Sequence, residues 1–150
     1  MTKEWNHKPG VIQARKADHL DAFRQDESRE RKDTWLACVQ LVNQALPEMD
    51  RDDVDTSATL CGHKLAAPLV VSAMTGGTPE AGPINRALAR VASGRGLAFG
   101  LGSMRAMMEN PALTDSYDVR DEAPEAFLMG NIGGTQLVAT PAGALAQALD

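Results

Sequence analysis

Short apolar runs alternate with helical patterns along the second half of the chain. Three of these runs are five or six residues long and lie beside glycine-rich turns, as strands buried in a parallel sheet commonly do. They are residues 68–73, 97–101 and 126–130. Between the first two, Ile84, Leu88 and Val91 recur at helical spacing and predict a helix that packs along that stripe. The alternation of strand and helix indicates an α/β fold with a parallel sheet.

Local signals mark further boundaries in the same half of the chain. Gly94 and Gly96 follow the apolar stripe and predict the C-terminus of that helix. Asn110-Pro111 predicts a turn. Thr140-Pro141 combines a capping hydroxyl with a proline in the first turn, so it predicts a helix that begins there and runs through Leu149.

The first half of the chain carries weaker patterns. Residues 15–24 predict a helix. Residues 34–46 are ambiguous, because their apolar positions fit a helix and a strand equally well. Residues 56–66 predict a hairpin that turns at Gly62-His63.

Charge and glycine are distributed unevenly along the sequence. Residues 1–64 hold 22 of the 35 charged side chains and all five lysines, whereas residues 65–150 hold 11 of the 13 glycines. The asymmetry predicts two parts. The first, 1–64, is a charge-dense arm or outer layer, and the second, 65–150, is a compact unit with tight turns.

Composition excludes several classes of protein. The formal net charge is −5, so the basic excess of a nucleic-acid-binding protein is missing. No apolar run approaches the roughly 18–20 residues of a membrane span, and no apolar segment follows the first charges as in a signal peptide. The two cysteines lack CxxC spacing. The pattern predicts a reduced, cytoplasmic protein without nucleic-acid or membrane partners.

Candidate chemistry lies where the predicted strands end. Thr75, Ser103 and Asn131 each follow one strand inside a glycine-rich turn, and Arg105 lies in the second of these turns. Ligands of parallel α/β folds bind beyond the carboxyl ends of the strands. Neutral hydrogen-bonding groups beside an arginine predict a pocket for a phosphorylated ligand or a planar cofactor. The alternative is that the glycines only turn the chain.

A second candidate lies in the first predicted helix. Arg15 and Lys16 are adjacent cations, and His19 shares a helix face with Lys16, so the three could reach a diphosphate. The alternative is an exposed surface helix of mixed charge. The carboxylates of residues 50–55 lack the pattern of a calcium loop and predict a solvated loop.

These motifs together resemble the type 2 isopentenyl-diphosphate isomerases. The resemblance rests on the order and spacing of Arg15-Lys16-x-Asp-His-Leu, residues 45–48, residues 73–77 with Ile84-Asn85, residues 102–105, and residues 131–137. It implies an FMN-dependent (β/α)8 TIM barrel that interconverts isopentenyl diphosphate and dimethylallyl diphosphate. It also implies Mg²⁺, a reduced nicotinamide cofactor such as NADPH, and a homo-oligomer. In this family reduced FMN supplies the proton chemistry at the allylic carbons.

The resemblance also implies roles for individual residues. Those implied to bind substrate are Arg15, Lys16, Ser103 and Arg105, and those implied to contact FMN are Ala73, Met74, Thr75, Ser103 and Asn131. One position departs from the family, because Met104 stands where glutamine is usual between the serine and the arginine.

Length changes the expected extent of the fold. A complete barrel needs about 250 residues, so the resemblance implies an N-terminal extension followed by about three βα units. The family's His-x-Asn and Gln-Glu segments are expected beyond Asp150. Two alternatives stay open. One is a truncated, catalytically inactive α/β module with weak phosphate or flavin binding, and the other is a different FMN-dependent barrel oxidoreductase.

Overall fold

The computed structural model describes residues 11–25, 35–140 and 143. The chain begins with helix α1 (Val11–Arg24), which confirms the helix predicted over residues 15–24. The ambiguous segment 34–46 is neither helix nor strand in its described part, apart from a 3-10 turn at Trp35–Cys38. Its apolar side chains are exposed, with Trp35 at 87% and Leu41 at 90%. No described element covers them, so burial cannot select either regular structure.

A hairpin follows this segment. Strand β1 (Ala58–Leu60) pairs antiparallel with β2 (His63–Leu65), which confirms the predicted hairpin. The turn is formed by Cys61 and Gly62, both with positive φ, and so lies one residue before its predicted position. The predicted boundary after residue 64 falls inside β2, and the division into two parts stays a prediction.

Three parallel strands form the central sheet. They are β3 (Val70–Val71), β4 (Ala98–Gly100) and β5 (Phe127–Met129), paired in chain order with β4 in the middle. Each lies within a predicted strand and is shorter than it. Phe99 of β4 is 1% exposed and lies at the centre of the apolar core. The parallel pairing with helical connections agrees with the predicted α/β class.

Helix α2 (Ala81–Gly94) connects β3 to β4. The helix is confirmed, but the predicted packing stripe is wrong, because Leu88 is 37% and Val91 59% exposed. The buried positions carry small or amide side chains: Ala81, Gly82, Asn85, Ala89 and Ala92. Small side chains let a helix lie close to the elements beneath it. The helix ends at Gly94, which confirms the C-terminus predicted at Gly94 and Gly96; Arg95 caps it, and Gly96 follows with φ +60°.

The connection from β4 to β5 is irregular. It contains the short helix α3 (Arg105–Glu109) and 3-10 turns at Pro111–Ser116 and Arg120–Glu122. The Asn110 side chain caps the first of these turns by accepting from the Ala112 N–H at 3.2 Å, which confirms the predicted turn at Asn110-Pro111. Met104, at 4% exposure, packs into the core together with Tyr117 and Val119.

Helix α4 (Gly134–Ala139) begins five residues after Met129 and was not predicted. The sequence Gly-Gly-Thr at its start is typical of a turn, so the sequence pattern did not indicate a helix there. Thr140 lies just after α4 in extended backbone. The helix predicted from Thr140 through Leu149 lies almost entirely outside the described residues.

The hairpin covers the amino end of the sheet. The His63 ring stacks on Phe127, the first residue of β5, with ring centroids 4.2 Å apart. The Ala66 N–H donates to the Gly96 carbonyl just before β4, at 2.8 Å. The opposite, carboxyl edge of the sheet therefore remains for the three turns that carry the candidate chemistry.

Candidate functional site

The three glycine-rich turns meet at the carboxyl edge of the sheet. They are residues 73–77 after β3, 101–105 after β4 and 130–134 after β5. The Gly102 N–H donates to the Thr75 carbonyl at 2.9 Å, and the Met104 N–H donates to the Asn131 carbonyl at 2.8 Å. The middle turn is thus bonded to both of its neighbours, and Thr75, Ser103 and Asn131 lie on one edge as predicted.

Close backbone contact explains two of the glycines. A Cβ on Gly102 would overlap the Thr75 carbonyl, and one on Gly100 would lie 3.1 Å from the Ala73 Cβ. At these positions glycine allows the turns to approach one another. Gly100 and Gly102 are therefore explained by contact between the turns, and the alternative that the glycines only turn the chain stays untested.

Lys16 reaches this edge from α1. Its Nζ donates to the Ser103 carbonyl at 3.0 Å and to the Tyr117 hydroxyl at 3.1 Å. Burial, and then the charge of Arg15, lower the pKa of the Lys16 ammonium from its usual 10.5. Arg15 and His19 are exposed on the same helix. Helix α1 and the turn after β4 are therefore in direct contact through Lys16. This contact excludes, for Lys16, the alternative of a fully exposed side chain on a surface helix.

Tyr117 is a component of the site that the sequence patterns did not indicate. It is 4% exposed, and its hydroxyl donates to the Ser103 carbonyl at 2.8 Å. Burial raises the pKa of Tyr117 to about 12, so the hydroxyl stays protonated near neutral pH. The only sequence signal was the pair Gly76-Gly77, which indicates that something approaches the backbone closely but not which residue does so.

A buried amide holds the first turn in place. Asn85 of α2 is 0% exposed; its Oδ1 accepts from the Thr75 hydroxyl, and its Nδ2 donates to the Ser116 carbonyl at 2.8 Å. The Ser116 hydroxyl in turn accepts from the Gly77 N–H at 2.8 Å. The Thr75 hydroxyl therefore donates its hydrogen bond within the protein. Ser116 is a second residue of the site, after Tyr117, that the sequence patterns did not indicate.

The side chains of Ser103 and Asn131 remain open to a ligand at this edge. Within the described part of the chain, the Ser103 hydroxyl and the Asn131 carboxamide make no hydrogen bond, although both residues are half-buried. Met74 is 74% exposed beside them. Arg105 forms an ion pair with Glu109, Nε to Oε1 at 2.8 Å, and its side chain is 18% exposed. Neutral donors beside an apolar side chain suit a flat polar ring, so these residues fit a flavin.

A cavity of about 410 Å³ lies between the core and the turns after β4 and β5. Leu101, Met104, Tyr117 and Leu128 line it together with Arg120. None of the residues predicted to bind FMN or substrate lines this cavity. In the described part of the chain, this cavity therefore adjoins the candidate site without including the predicted ligand contacts.

Comparison with known proteins decides the family. No family model matches the chain. It is 48% identical over 132 residues to an isopentenyl-diphosphate delta-isomerase of Methanoregula boonei, covering 87% of this chain and 36% of that protein. The same named enzyme of Nostoc sp. is 44% identical over 126 residues, and that of Halobacterium salinarum 48% over 126. These matches cover 83% and 82% of this chain.

The chain belongs to the isopentenyl-diphosphate delta-isomerase family. The family resemblance drawn from the motifs is thereby confirmed. The chain spans about a third of the length of these curated relatives, between 35% and 36% of each. The individual ligand roles of Arg15, Lys16, Arg105 and the predicted FMN contacts stay predictions.

The departure from the isomerase pattern at Met104 has a structural context. The Met104 side chain is 4% exposed and packs in the core, so in this chain it does not point to the open edge. The position contributes to the site through its backbone N–H, which holds Asn131. A backbone bond does not depend on which side chain stands there.

Other candidate groups of this isomerase-family chain lie elsewhere. Residues 50–55 are exposed to solvent, as predicted, and form a 3-10 turn at Arg51–Asp53 in which the Asp53 carboxylate accepts from the Asp50 N–H at 2.8 Å. In the described ranges, no three His, Cys, Asp or Glu side chains are grouped as a metal site would require. Cys38 and Cys61 are exposed free thiols. No described helix is both long enough and apolar enough to cross a bilayer.

Proposed function

We propose that the chain supplies the diphosphate-facing portion of a type 2, FMN-dependent isopentenyl-diphosphate isomerase, with β3, β4 and β5 as the first strands of its TIM barrel. The observation that carries the proposal is the Lys16 ammonium held beside Ser103 at the carboxyl edge of the sheet. The strand order supports it as well, because barrel strands are parallel and paired in chain order.

The substrate diphosphate would be held by the cations at this edge. The Lys16 ammonium has three N–H donors, of which two are directed at Ser103 and Tyr117, so one remains for a phosphate oxygen. Arg15 adds an exposed charge on the same helix, and Arg105 a guanidinium on α3. Charge-assisted hydrogen bonds of this kind are the strong contacts to phosphate.

The flavin would lie against the neutral side of the edge. The Ser103 hydroxyl and the Asn131 carboxamide can bond its polar rim, while Ala73, Met74 and Thr75 form the adjoining turn. Reduced FMN, kept reduced by NADPH, supplies acid/base chemistry at the allylic carbons when bound. The protein's part is to hold the diphosphate and so fix the reacting carbons in place. Among the described residues, no three His, Cys, Asp or Glu side chains lie together to hold the Mg²⁺.

A chimeric enzyme tests this proposal. In it, the chain replaces the matching 132 residues of the Methanoregula boonei isomerase. With FMN, Mg²⁺ and NADPH, the chimera should convert isopentenyl diphosphate to dimethylallyl diphosphate, and the same chimera with Lys16→Met should lose most of this activity. A folded chimera that binds FMN and shows no conversion would overturn the proposal.

The chain by itself should behave differently. We expect the purified 150-residue chain to bind diphosphate without isomerising isopentenyl diphosphate, because it spans only about a third of the length of the curated isomerases it matches. Conversion measured by ¹H NMR with FMN, Mg²⁺ and NADPH present would show that this expectation is wrong.

A further inference from the structure

Lys16, Ser103 and Tyr117 form a closed triangle of hydrogen bonds. The Lys16 ammonium donates to the Ser103 carbonyl at 3.0 Å and to the Tyr117 hydroxyl at 3.1 Å, and that hydroxyl donates to the same carbonyl at 2.8 Å. The three residues come from three separate elements. The contact is therefore made by the tertiary fold and is not a by-product of local chain geometry.

The contact between Lys16 and Tyr117 is made by the hydroxyl and not by the ring face. The ammonium is 3.1 Å from the Tyr117 oxygen but 5.6 Å from the ring centroid. The hydroxyl oxygen lies outside the ring, so these two distances place the ammonium beyond the hydroxyl and away from the ring face. A phenylalanine at 117 would keep the packing of the ring and lose the hydroxyl, and with it the bonds to Lys16 and to the Ser103 carbonyl.

The hydroxyl has a fixed orientation. A phenol has one donor, which Tyr117 gives to the Ser103 carbonyl, so its lone pairs are left to face Lys16. The ring cannot move aside easily, because Gly76 lies against its edge and a Cβ on Gly77 would lie 3.0 Å from its oxygen. The Lys16 ammonium is thus oriented by the Ser103 carbonyl oxygen and the Tyr117 hydroxyl oxygen. These two oxygens are also hydrogen-bonded to each other.

Orientation of this kind affects ligand binding. A free lysine loses rotamer entropy when it binds an anion, and a lysine that is already held loses less. Two of the three ammonium donors face protein oxygens, so the third has a defined direction. Ser103, whose carbonyl accepts one of these bonds, also carries the unbonded hydroxyl of the candidate site.

We propose that Tyr117 is a positioning residue, whose hydroxyl holds the Lys16 ammonium in the direction that meets a diphosphate oxygen. This inference rests on the proposed function insofar as Lys16 binds diphosphate. It adds a residue that acts through Lys16 and does not itself touch the ligand.

A double-mutant cycle separates positioning from general stabilisation. Binding of inorganic diphosphate to the full chain is measured by calorimetry for the parent, Tyr117→Phe, Lys16→Met and the double variant. Tyr117→Phe should weaken binding about tenfold, equivalent to roughly 1.4 kcal/mol. In the Lys16→Met background, the same change should have no further effect, because the group through which Tyr117 acts is gone.

Chemical reactivity of Lys16 gives a second readout that needs no ligand. Acetylation by an N-hydroxysuccinimide ester is followed by peptide mass spectrometry, with the exposed Lys64 as the internal reference. Loss of the hydroxyl contact should raise the Lys16 rate relative to Lys64 in Tyr117→Phe. Because Tyr117 is the single tyrosine, incorporation of 3-fluorotyrosine weakens the acceptor at this one position and preserves the ring should the phenylalanine variant unfold.

The outcomes distinguish the two proposals. If Lys16→Met leaves diphosphate affinity unchanged, the proposed diphosphate role fails. If Lys16→Met weakens binding and Tyr117→Phe does not, or if Tyr117→Phe weakens binding equally in both backgrounds, the positioning role alone is overturned. An unchanged Lys16 acetylation rate with either tyrosine replacement also overturns it.

Discussion

Gly76 lies directly against the ring of Tyr117, where any Cβ would overlap the ring edge. Gly76 and Gly77 also have φ values of +143° and +83°, which L-residues rarely adopt. Together these facts make the turn after β3 intolerant of side chains. The turn carries Thr75 at the candidate site and also seats the tyrosine that holds Lys16.

Alanine at Gly76 should therefore destabilise the fold. We expect Gly76→Ala to lower the free energy of unfolding by about 2 kcal/mol or more, because backbone strain and steric overlap add. Urea denaturation followed by circular dichroism measures this. Gly94→Ala is the matched control, since no atom lies within 4 Å of its added Cβ and its φ is not positive. It should be neutral or stabilising by up to about 1 kcal/mol. Equal effects of the two variants would contradict the close packing on Tyr117.

Replacement of Asn85 should be costly for a different reason. Asn85→Ala leaves the Thr75 hydroxyl and the Ser116 carbonyl without their buried partner. We expect a loss of about 1–3 kcal/mol in the free energy of unfolding, the usual penalty for an unsatisfied buried polar group. Asn43→Ala, at an exposed amide, should change the stability by less than about 0.5 kcal/mol. A tolerated Asn85→Ala would show that the turn does not depend on this amide.

The single tyrosine allows its ionisation to be observed directly. Burial raises the pKa of Tyr117 from 10.0 to about 12, so the folded chain should show its phenolate absorbance at 295 nm with a midpoint near that higher value. The urea-unfolded chain should titrate near 10.0. A folded-state midpoint near 10.0 would contradict the burial of the hydroxyl.

The same shift sets the sign of a stability change. Between pH 10 and 12, the unfolded chain loses the tyrosine proton and the folded chain retains it, so rising pH favours unfolding. Below this window, both states are protonated and the contribution to stability is fully present. Tyr117→Phe should remove this part of the alkaline decline, as measured by the urea midpoint at a series of pH values.

The charge at Arg105 should matter for binding and little for stability. Arg105→Ala is expected to weaken binding of inorganic diphosphate by roughly ten- to hundredfold, because it removes a charge-assisted contact. Arg90→Ala is the matched control, since Arg90 pairs with Glu122 at 2.8 Å on the exposed side of α2. Its ion pair is worth little. Calorimetry on both variants checks the prediction, and an Arg105→Ala affinity equal to that of Arg90→Ala would remove Arg105 from the site.

The sequence was most informative where a pattern is local. The strand positions, α2 and the hairpin follow from periodicity and turn residues, and the three turns that share one edge follow from the rule for parallel sheets. Packing choices were less accessible. Leu88 and Val91 belong to the more apolar stripe of α2, yet the helix buries its alanines and Asn85, a choice that depends on the elements packed against it and not on the helix sequence alone.

The site was predicted in outline but not in its connections. Lys16 was singled out as a cation, but nothing in its surroundings along the chain indicated that it would meet Tyr117. That contact joins positions 101 residues apart. Such long-range pairs depend on how helices and strands pack against one another. A single sequence indicates where those helices and strands lie along the chain, but not which of them pack together.

The long separation between Lys16 and its partners also bears on the order of folding. The ammonium closes loops of 87 and 101 residues, which is slow and entropically costly compared with the pairing of neighbouring elements. We therefore expect α1 to dock last and to open first, with amide hydrogens that exchange faster than those of β4. An anion bound at Lys16 would slow that exchange by mass action. Bound diphosphate would then stabilise the docked position of α1. The occupancy of the site could therefore be measured from the hydrogen-exchange protection of the α1 amides.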